Sequence, residues 1–403
     1  MHGLLLYNAR VVLEREIAPG GVLVRDGRIA ATFAGGQTPT GMSSAESIDL
    51  HSAYLVPGMI DIHIHGSAGV DVQAAGVDEL GALSDFLLRE GVTGYFATLV
   101  PAGDDEYREA LEAVNAYEGA RTGPRAAGGG RARILGIHFE GPFVSPRRSG
   151  ALRTRFFRTY DGDPRSLELF TGGRQGHGPT RPTLMTLAPE TEGGLDLVRD
   201  LERLCVRAFI GHSEADPETL DLAAAAGARH ITHFPNALAP LHHRNPGSVA
   251  WGLTRADVSV DCIADFHHCH PLMLRLMRLC KGADAMALIS DAIAPAGLGD
   301  GDYMVWGERI EVRGGKTALT EGPAAGTIAG SVITMRQALK NICGLGTPLP
   351  EAMRMAALVP ARAAGIDGEY GSIEAGKRAD LIALDEDFAV RLAIAGGEVG
   401  FRA

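Results

Sequence analysis

Apolar positions follow two different rhythms along this chain. Near the N-terminus they alternate with polar ones in short runs, Leu4–Tyr7, Val11–Glu14 and Gly21–Val24, the last leading into an Asp26-Gly27 turn and Arg28–Phe33. Period-two alternation broken by Asp-Gly predicts β-strands joined by tight hairpins. A Gly/Thr/Ser-rich loop at Gly35–Ser44 separates these from Ser47–Leu50 and Tyr54–Val56. From Pro57 the rhythm changes to short continuous apolar runs, Met59–Ile64, Gly94–Leu99, Arg133–His138, Thr183–Leu187, Arg207–Ile210, His230–Thr232, Val258–Cys262 and Ala287–Ile289. Between them lie amphipathic stretches with helical spacing, Val77–Glu90, Asp104–Tyr117, Gly194–Leu204, Pro217–Ala226 and Pro271–Lys281.

About eight strand–helix units in succession predict an α/β fold of the (β/α)8 TIM-barrel type. Met335–Cys343 and Pro350–Ala356 read as closing helices, and strand-like patterning returns at Gly371–Ile373, Leu381–Leu384 and Phe388–Ile394. Strands at both ends most simply form one small β-sandwich, giving a sandwich domain of residues 1–56 and 366–403 around a barrel of residues 57–365.

Composition narrows the function classes. The 403 residues carry a formal net charge of −11, which argues against a general nucleic-acid binder. An anionic small substrate stays possible, since one local arginine can hold a phosphate. No run is long enough to span a bilayer, and the Leu4–Leu6 run lacks the flanks of a signal segment. Five cysteines without CxxC pairing read as reduced, mostly buried thiols, and the cytoplasm is the expected location.

The chemistry lies where the barrel strands end. His63 and His65 stand at i and i+2 at the end of the first, so strand alternation puts both on one face. Glu140 ends Ile137–Glu140; His212, His233 and Asp291 each follow a later apolar run. Taken singly, an HxH pair is more often structural, and an acid before Gly-Pro is more often a turn residue. Together, six metal-competent side chains meet at the C-terminal ends of five strands, where such barrels place their active sites. Nitrogen and carboxylate donors without thiolate suit one or two divalent cations, Zn²⁺ first, with Fe²⁺, Mn²⁺ or Co²⁺ tolerated. A cation there lowers the pKa of bound water to about 7. Asp291 is then placed to take the water's proton and return it to a leaving group.

The ordered motifs PGMIDIHIHG, GIHFEGPF, GHSEAD, THFPNAL, CIADFHH, ISDAIAPAG and GTIAGS resemble those of the N-acetylglucosamine-6-phosphate deacetylases of the amidohydrolase superfamily. The resemblance runs through nearly the whole chain, to GSIEAGKRADLIALD near its end. It implies hydrolysis of an N-acetyl amide to an amino-sugar phosphate and acetate. It makes Glu140, His212 and His233 the principal metal ligands, His63 and His65 the HxH of a second metal, and Asp291 the acid/base. It puts Asn236 and Ala237 against the sugar, with Ala151 a further substrate-binding position, and lays Ile328, Ala329 and Gly330 alongside as a backbone stretch. It also makes Arg244 and His268 a phosphate-binding pair reaching in from the neighbouring subunit, and hence implies a homodimer. Other amidohydrolases bridge two metals through a carboxylated lysine, but no lysine precedes Lys281 here, which leaves Glu140 as the bridge.

One position departs from the family pattern. The histidine expected to hydrogen-bond the scissile carbonyl is replaced by Leu152, in Arg147-Arg148-Ser149-Gly150-Ala151-Leu152. Loss of such a donor costs on the order of 10²–10³ in rate. His177, Arg147 or Arg148 could replace it; the substrate could be another N-acyl amino sugar, such as N-acetylgalactosamine 6-phosphate, or a small amide; or the enzyme could be slow. A binding or scaffold protein that kept only the barrel is a remote alternative, since such a protein would be expected to lose its metal ligands first.

Overall fold

A computed structural model describes residues 3–35, 45–122, 130–171, 181–322 and 324–403. Eight parallel strands pair in chain order: β1 (Met59–Ile64), β2 (Val92–Leu99), β3 (Arg133–Glu140), β4 (Thr183–Leu187), β5 (Arg207–Ile210), β6 (His230–Ile231), β7 (Ser259–Ile263) and β8 (Met286–Ile289). Every residue of β1, β2, β4 and β8 is buried, which is why these strands read as unbroken apolar runs rather than as alternation. Helices follow most strands, and the large core packs between the two layers.

The seam between β8 and β1 closes beside the site. Asp291 N–H donates to His63 O at 2.9 Å, and His65 N–H donates to Ala292 O at 2.8 Å. One layer deeper, the fully buried Asp61 carboxylate accepts from Ser290 Oγ at 2.5 Å and from the backbone N–H groups of Ser290 and His63 at 3.3 Å. Burial pushes the Asp61 pKa up to about 6 against these hydrogen bonds. The first and last strands are therefore tied together by the residues adjoining His63 and Asp291.

Both chain ends enter one further sheet of eight strands. Gly3–Val12 lies within it, with Ile17–Arg25 on one side and Tyr54–Pro57, then Leu381–Leu384, on the other. Alternation divides its faces. Leu4, Leu6, Val22, Val24, Leu55, Leu381, Leu392 and Ile394 share a separate core. Val56, Ile382, Leu384 and Ala393 instead join the barrel core. A single sheet buries one face against itself only by folding over, which gives the sandwich character.

Several elements differ from the expectation. Leu4–Tyr7 and Val11–Glu14 belong largely to one strand, Gly3–Val12, interrupted by a register shift between Leu6 and Ala9 where Asn8 has φ 54°. Gly371–Ile373 is not a strand, whereas Glu398–Arg402 is. A helix at Gly247–Thr254 and an antiparallel sheet of Gly301–Val305, Glu308–Arg313 and Lys316–Leu319 were not expected. The hairpin turns at Gly307 and Gly314-Gly315 were the available signal for that sheet. Cys262 and Cys269 are buried, but Cys205 and Cys280 are exposed, so the thiols are not mostly buried. Nearly all of the Gly35–Ser44 loop lies outside the described residues.

Candidate metal centre and active site

Six buried side chains converge at the C-terminal mouth of the barrel in two groups, His63–His65–Asp291 and Glu140–His212–His233. Glu140 divides its carboxylate between them. Its Oε1 lies 2.9 Å from His212 Nε2 and 3.0 Å from His233 Nε2, and its Oε2 lies 3.2 Å from His65 Nε2 and 3.6 Å from His63 Nε2. Asp291 Oδ1 stands 3.3 Å from His63 Nε2 and 3.2 Å from His65 Nε2. His212, His233 and Asp291 all hold positive φ, at 48°, 34° and 49°. Such conformations cost on the order of 1–3 kcal/mol each in non-glycine residues and collect where surrounding structure fixes a functional side chain.

The groups around each ligand explain its aim. His212 Nδ1 is 2.7 Å from Arg148 O; a carbonyl only accepts, so Nδ1 carries the proton and Nε2 presents its lone pair to Glu140. The Asp261 side chain accepts from His233 N–H, while its backbone carbonyl takes Phe234 N–H at 2.9 Å. Beneath His63, His138 Nδ1 donates to Ile62 O at 2.8 Å and Nε2 accepts from Thr186 Oγ1 at 2.8 Å. Burial, then the neighbouring His63, hold His138 well below the ordinary histidine pKa, so it remains a neutral spacer. Asp61, His138 and Asp261 escaped the sequence reading, although each lies on a predicted barrel strand.

A cation fits these atoms. Donors bonded to one ion at about 2.0–2.1 Å in a tetrahedron stand about 3.3 Å apart. His63 and His65 Nε2 are 3.2 Å apart, and His212 and His233 Nε2 are 3.1 Å apart. In the His212–Glu140 contact a nitrogen lone pair faces a carboxylate oxygen at 2.9 Å, an arrangement that a shared positive charge stabilises.

Without an ion, that charge is a proton. Burial opposes protonation of His65, but Asp291 and Glu140 outweigh it and push its pKa up to about 10. His233, buried likewise and bonded to Glu140, is pushed up to about 9. Burial raises Glu140 and Asp291, yet the surrounding histidines hold both below their ordinary values. The metal-free centre thus binds more protons near neutrality than a centre whose histidines are ligands, and raising the pH favours metal uptake. Calorimetric titration of Zn²⁺ at pH 7.5 in buffers of different ionisation enthalpy should show release of about two protons. An enthalpy independent of buffer would contradict this assignment.

The centre opens into a cavity of about 310 Å³. Ala151, Asn236, Ala237, His268, Ile328 and Gly330 line it, whereas Ala329 is fully buried in an adjoining cluster and does not. Arg244 sits on an exposed loop and does not line the cavity of its own chain. Trp306, missed by the sequence reading, adds an aromatic wall from the unexpected sheet, edge-on to His65 with ring centroids 5.0 Å apart. Leu152 packs with Val100, Val144, Phe157 and Trp306. Neither Arg147 nor Arg148 stands in for the missing histidine. Both guanidinium groups turn to Glu214, at 3.6 and 3.0 Å, and neither residue lines the cavity. His177 lies outside the described residues.

With this geometry, the chain belongs to the amidohydrolase family, whose profile matches residues 54–400. Within the family it is similar to particular deacetylases. The N-acetylglucosamine-6-phosphate deacetylase of Bacillus subtilis (strain 168) is 35% identical over 99% of this chain and 97% of its own length. The N-acetylgalactosamine-6-phosphate deacetylase of Escherichia coli O157:H7 is 37% identical over 84% of this chain and 85% of its own. A solved structure of a mutant N-acetyl-D-glucosamine-6-phosphate deacetylase from Mycobacterium smegmatis, in complex with N-acetyl-D-glucosamine-6-phosphate, superposes with a TM-score of 0.85 at 31% identity, covering 99% of this chain and 100% of that one.

Proposed function

We propose that this protein hydrolyses the N-acetyl amide of N-acetylglucosamine 6-phosphate to glucosamine 6-phosphate and acetate. The observation that carries the reading is the meeting of Glu140, His212, His233 and Asp291 on the wall of one cavity that Asn236, Ala237 and His268 also line. Glu140, His212 and His233 would hold one divalent cation, zinc foremost, with His63 and His65 available for a second. When bound, the cation supplies Lewis acidity that ionises water near neutral pH. Asp291 takes the proton of the attacking water as its oxygen bonds to the amide carbonyl carbon. It then gives that proton to the amide nitrogen as the C–N bond breaks. Leu152 offers the carbonyl oxygen no hydrogen-bond donor.

His268 presents an imidazole fixed by Asp265 Oδ2 at 2.7 Å from Nδ1, leaving Nε2 for a phosphate oxygen. Arg244 would reach the same phosphate from a partner copy. Supporting a homodimer, helix Pro271–Lys281 exposes Leu272, Leu276 and Leu279, at 65%, 39% and 79%, on one helical face directly after the loop that bears His268. Leu272→Asp combined with Leu279→Asp should give a monomer by light scattering, with KM for the phosphorylated substrate raised far more than kcat is lowered. An unchanged KM in a demonstrated monomer would remove Arg244 from the site. The five unpaired thiols support a cytoplasmic location; no described helix is long and apolar enough to cross a membrane.

A substrate panel tests the reading. N-acetylglucosamine 6-phosphate should give the highest kcat/KM. Preference for N-acetylgalactosamine 6-phosphate would reassign the sugar, and equal turnover of unphosphorylated N-acetylglucosamine would remove the phosphate roles of Arg244 and His268.

A further inference from the structure

A second cavity, of about 210 Å³, lies at the opposite end of the barrel. Three consecutive strands begin there, with Arg207 opening β5, His230 opening β6 and Ser259 opening β7. Helix Val359–Ala364 contributes Arg362, and Arg229 precedes His230. Three guanidinium-bearing side chains thus border one concavity. Arginines elsewhere in this chain commonly find carboxylates, as Arg354 does in binding Asp284 at 2.7 Å. Among the described residues, Arg207, Arg229 and Arg362 make no ion pair, and Arg229 Nε reaches only Ala224 O, at 3.4 Å.

The charge on the wall is correspondingly unbalanced. Of the two bordering carboxylates, Asp284 is already held by Arg354, so Glu202 on the wall and Asp257 near Arg229 stand against three arginines. His230 adds a rigid surface: it is 3% exposed, its Nδ1 lies 2.7 Å from Ser259 Oγ, and its Nε2 lies 2.9 Å from Asp261 Oδ2. The cavity is many times larger than the space a single water needs, so an inorganic phosphate fits in it. Guanidinium forks match the oxygens of a phosphate with charge-assisted, bidentate hydrogen bonds.

We propose that this cavity is a second anion site, binding a phosphate dianion through Arg207, Arg229 and Arg362. The dianion is either inorganic phosphate or the phosphate of a small phosphomonoester. The site is distinct from the cavity at the barrel mouth and independent of the reaction proposed there.

The test is calorimetric titration of inorganic phosphate, and separately of glucosamine 6-phosphate, into the full-length metal-loaded protein. An Arg244→Ala/His268→Ala background removes the phosphate contacts proposed for the mouth, and Arg207→Gln/Arg362→Gln is then added to it. Binding should survive in the background and weaken at least about tenfold in the combined variant. Response to both ligands assigns the site to the phosphate group alone; response only to glucosamine 6-phosphate assigns it to phosphomonoesters. Arg362→Lys, which keeps the charge but loses the bidentate fork, should weaken binding less than Arg362→Gln. Arg207→Gln/Arg362→Gln on the wild-type chain should keep the wild-type turnover, which shows that it is folded. If the double variant does not fold, Arg362→Gln alone should still weaken binding by a measurable factor. The proposal is overturned by equal binding with and without the Arg207 and Arg362 substitutions, by complete loss of binding in the Arg244→Ala/His268→Ala background, or by no binding of either ligand at millimolar concentration.

Discussion

Replacing Asp291 with asparagine should lower kcat for acetate release by about 10³-fold, within the range that positioned proton transfer contributes. The substitution is nearly isosteric, and it keeps the Asp291 N–H bond to His63 O across the barrel seam. What it removes is the acceptor. The native carboxylate is buried, but His63 and His65 hold it below its ordinary pKa, so it is ionised and ready to take a proton. Metal content separates this loss from a structural one. Asp291 lies in the His63–His65 group and not in the Glu140–His212–His233 group, so an ion held by the latter should stay. A variant that keeps this ion and also keeps its turnover would remove Asp291 from the reaction.

Glu140→Gln should act one step earlier, on the metal itself. Each Glu140 oxygen serves a different histidine pair, so one amide nitrogen turns an N–H toward imidazole nitrogens whichever way the side chain lies. The one carboxylate that, among the described residues, contacts both histidine pairs is lost. Elemental analysis after dialysis should find the variant nearly metal-free. Because a catalytic cation supplies several kcal/mol of charge stabilisation, activity should fall by about 10³-fold or more. A Glu140→Gln protein that retained its metal would show that the carboxylate is not the bridge.

Much of the barrel was legible because parallel strands buried on both faces leave continuous apolar runs, and the functional residues stand immediately after them. Met59–Ile64, Thr183–Leu187 and Arg207–Ile210 were readable to the residue. The sheet at residues 301–319 was harder to see. One of its faces is exposed, and Val305, Ile310, Val312 and Leu319 are sparse among charged neighbours. With it went Trp306, a wall of the active-site cavity. The fate of Arg147 and Arg148 was also beyond the sequence, because it depends on Glu214, brought near by the loop after β5. Likewise the seam through Asp61 and Ser290 joins residues 229 positions apart, a pairing that only barrel closure creates.

The most direct measurement is acetate release from N-acetylglucosamine 6-phosphate by the same preparation before metal removal, after chelation, and after reloading with Zn²⁺. The account predicts acetate and glucosamine 6-phosphate in equal amounts from the loaded protein, none above background after chelation, and recovery on reloading. Turnover that persists in demonstrably metal-free protein, or no acetate from fully loaded protein, would contradict it.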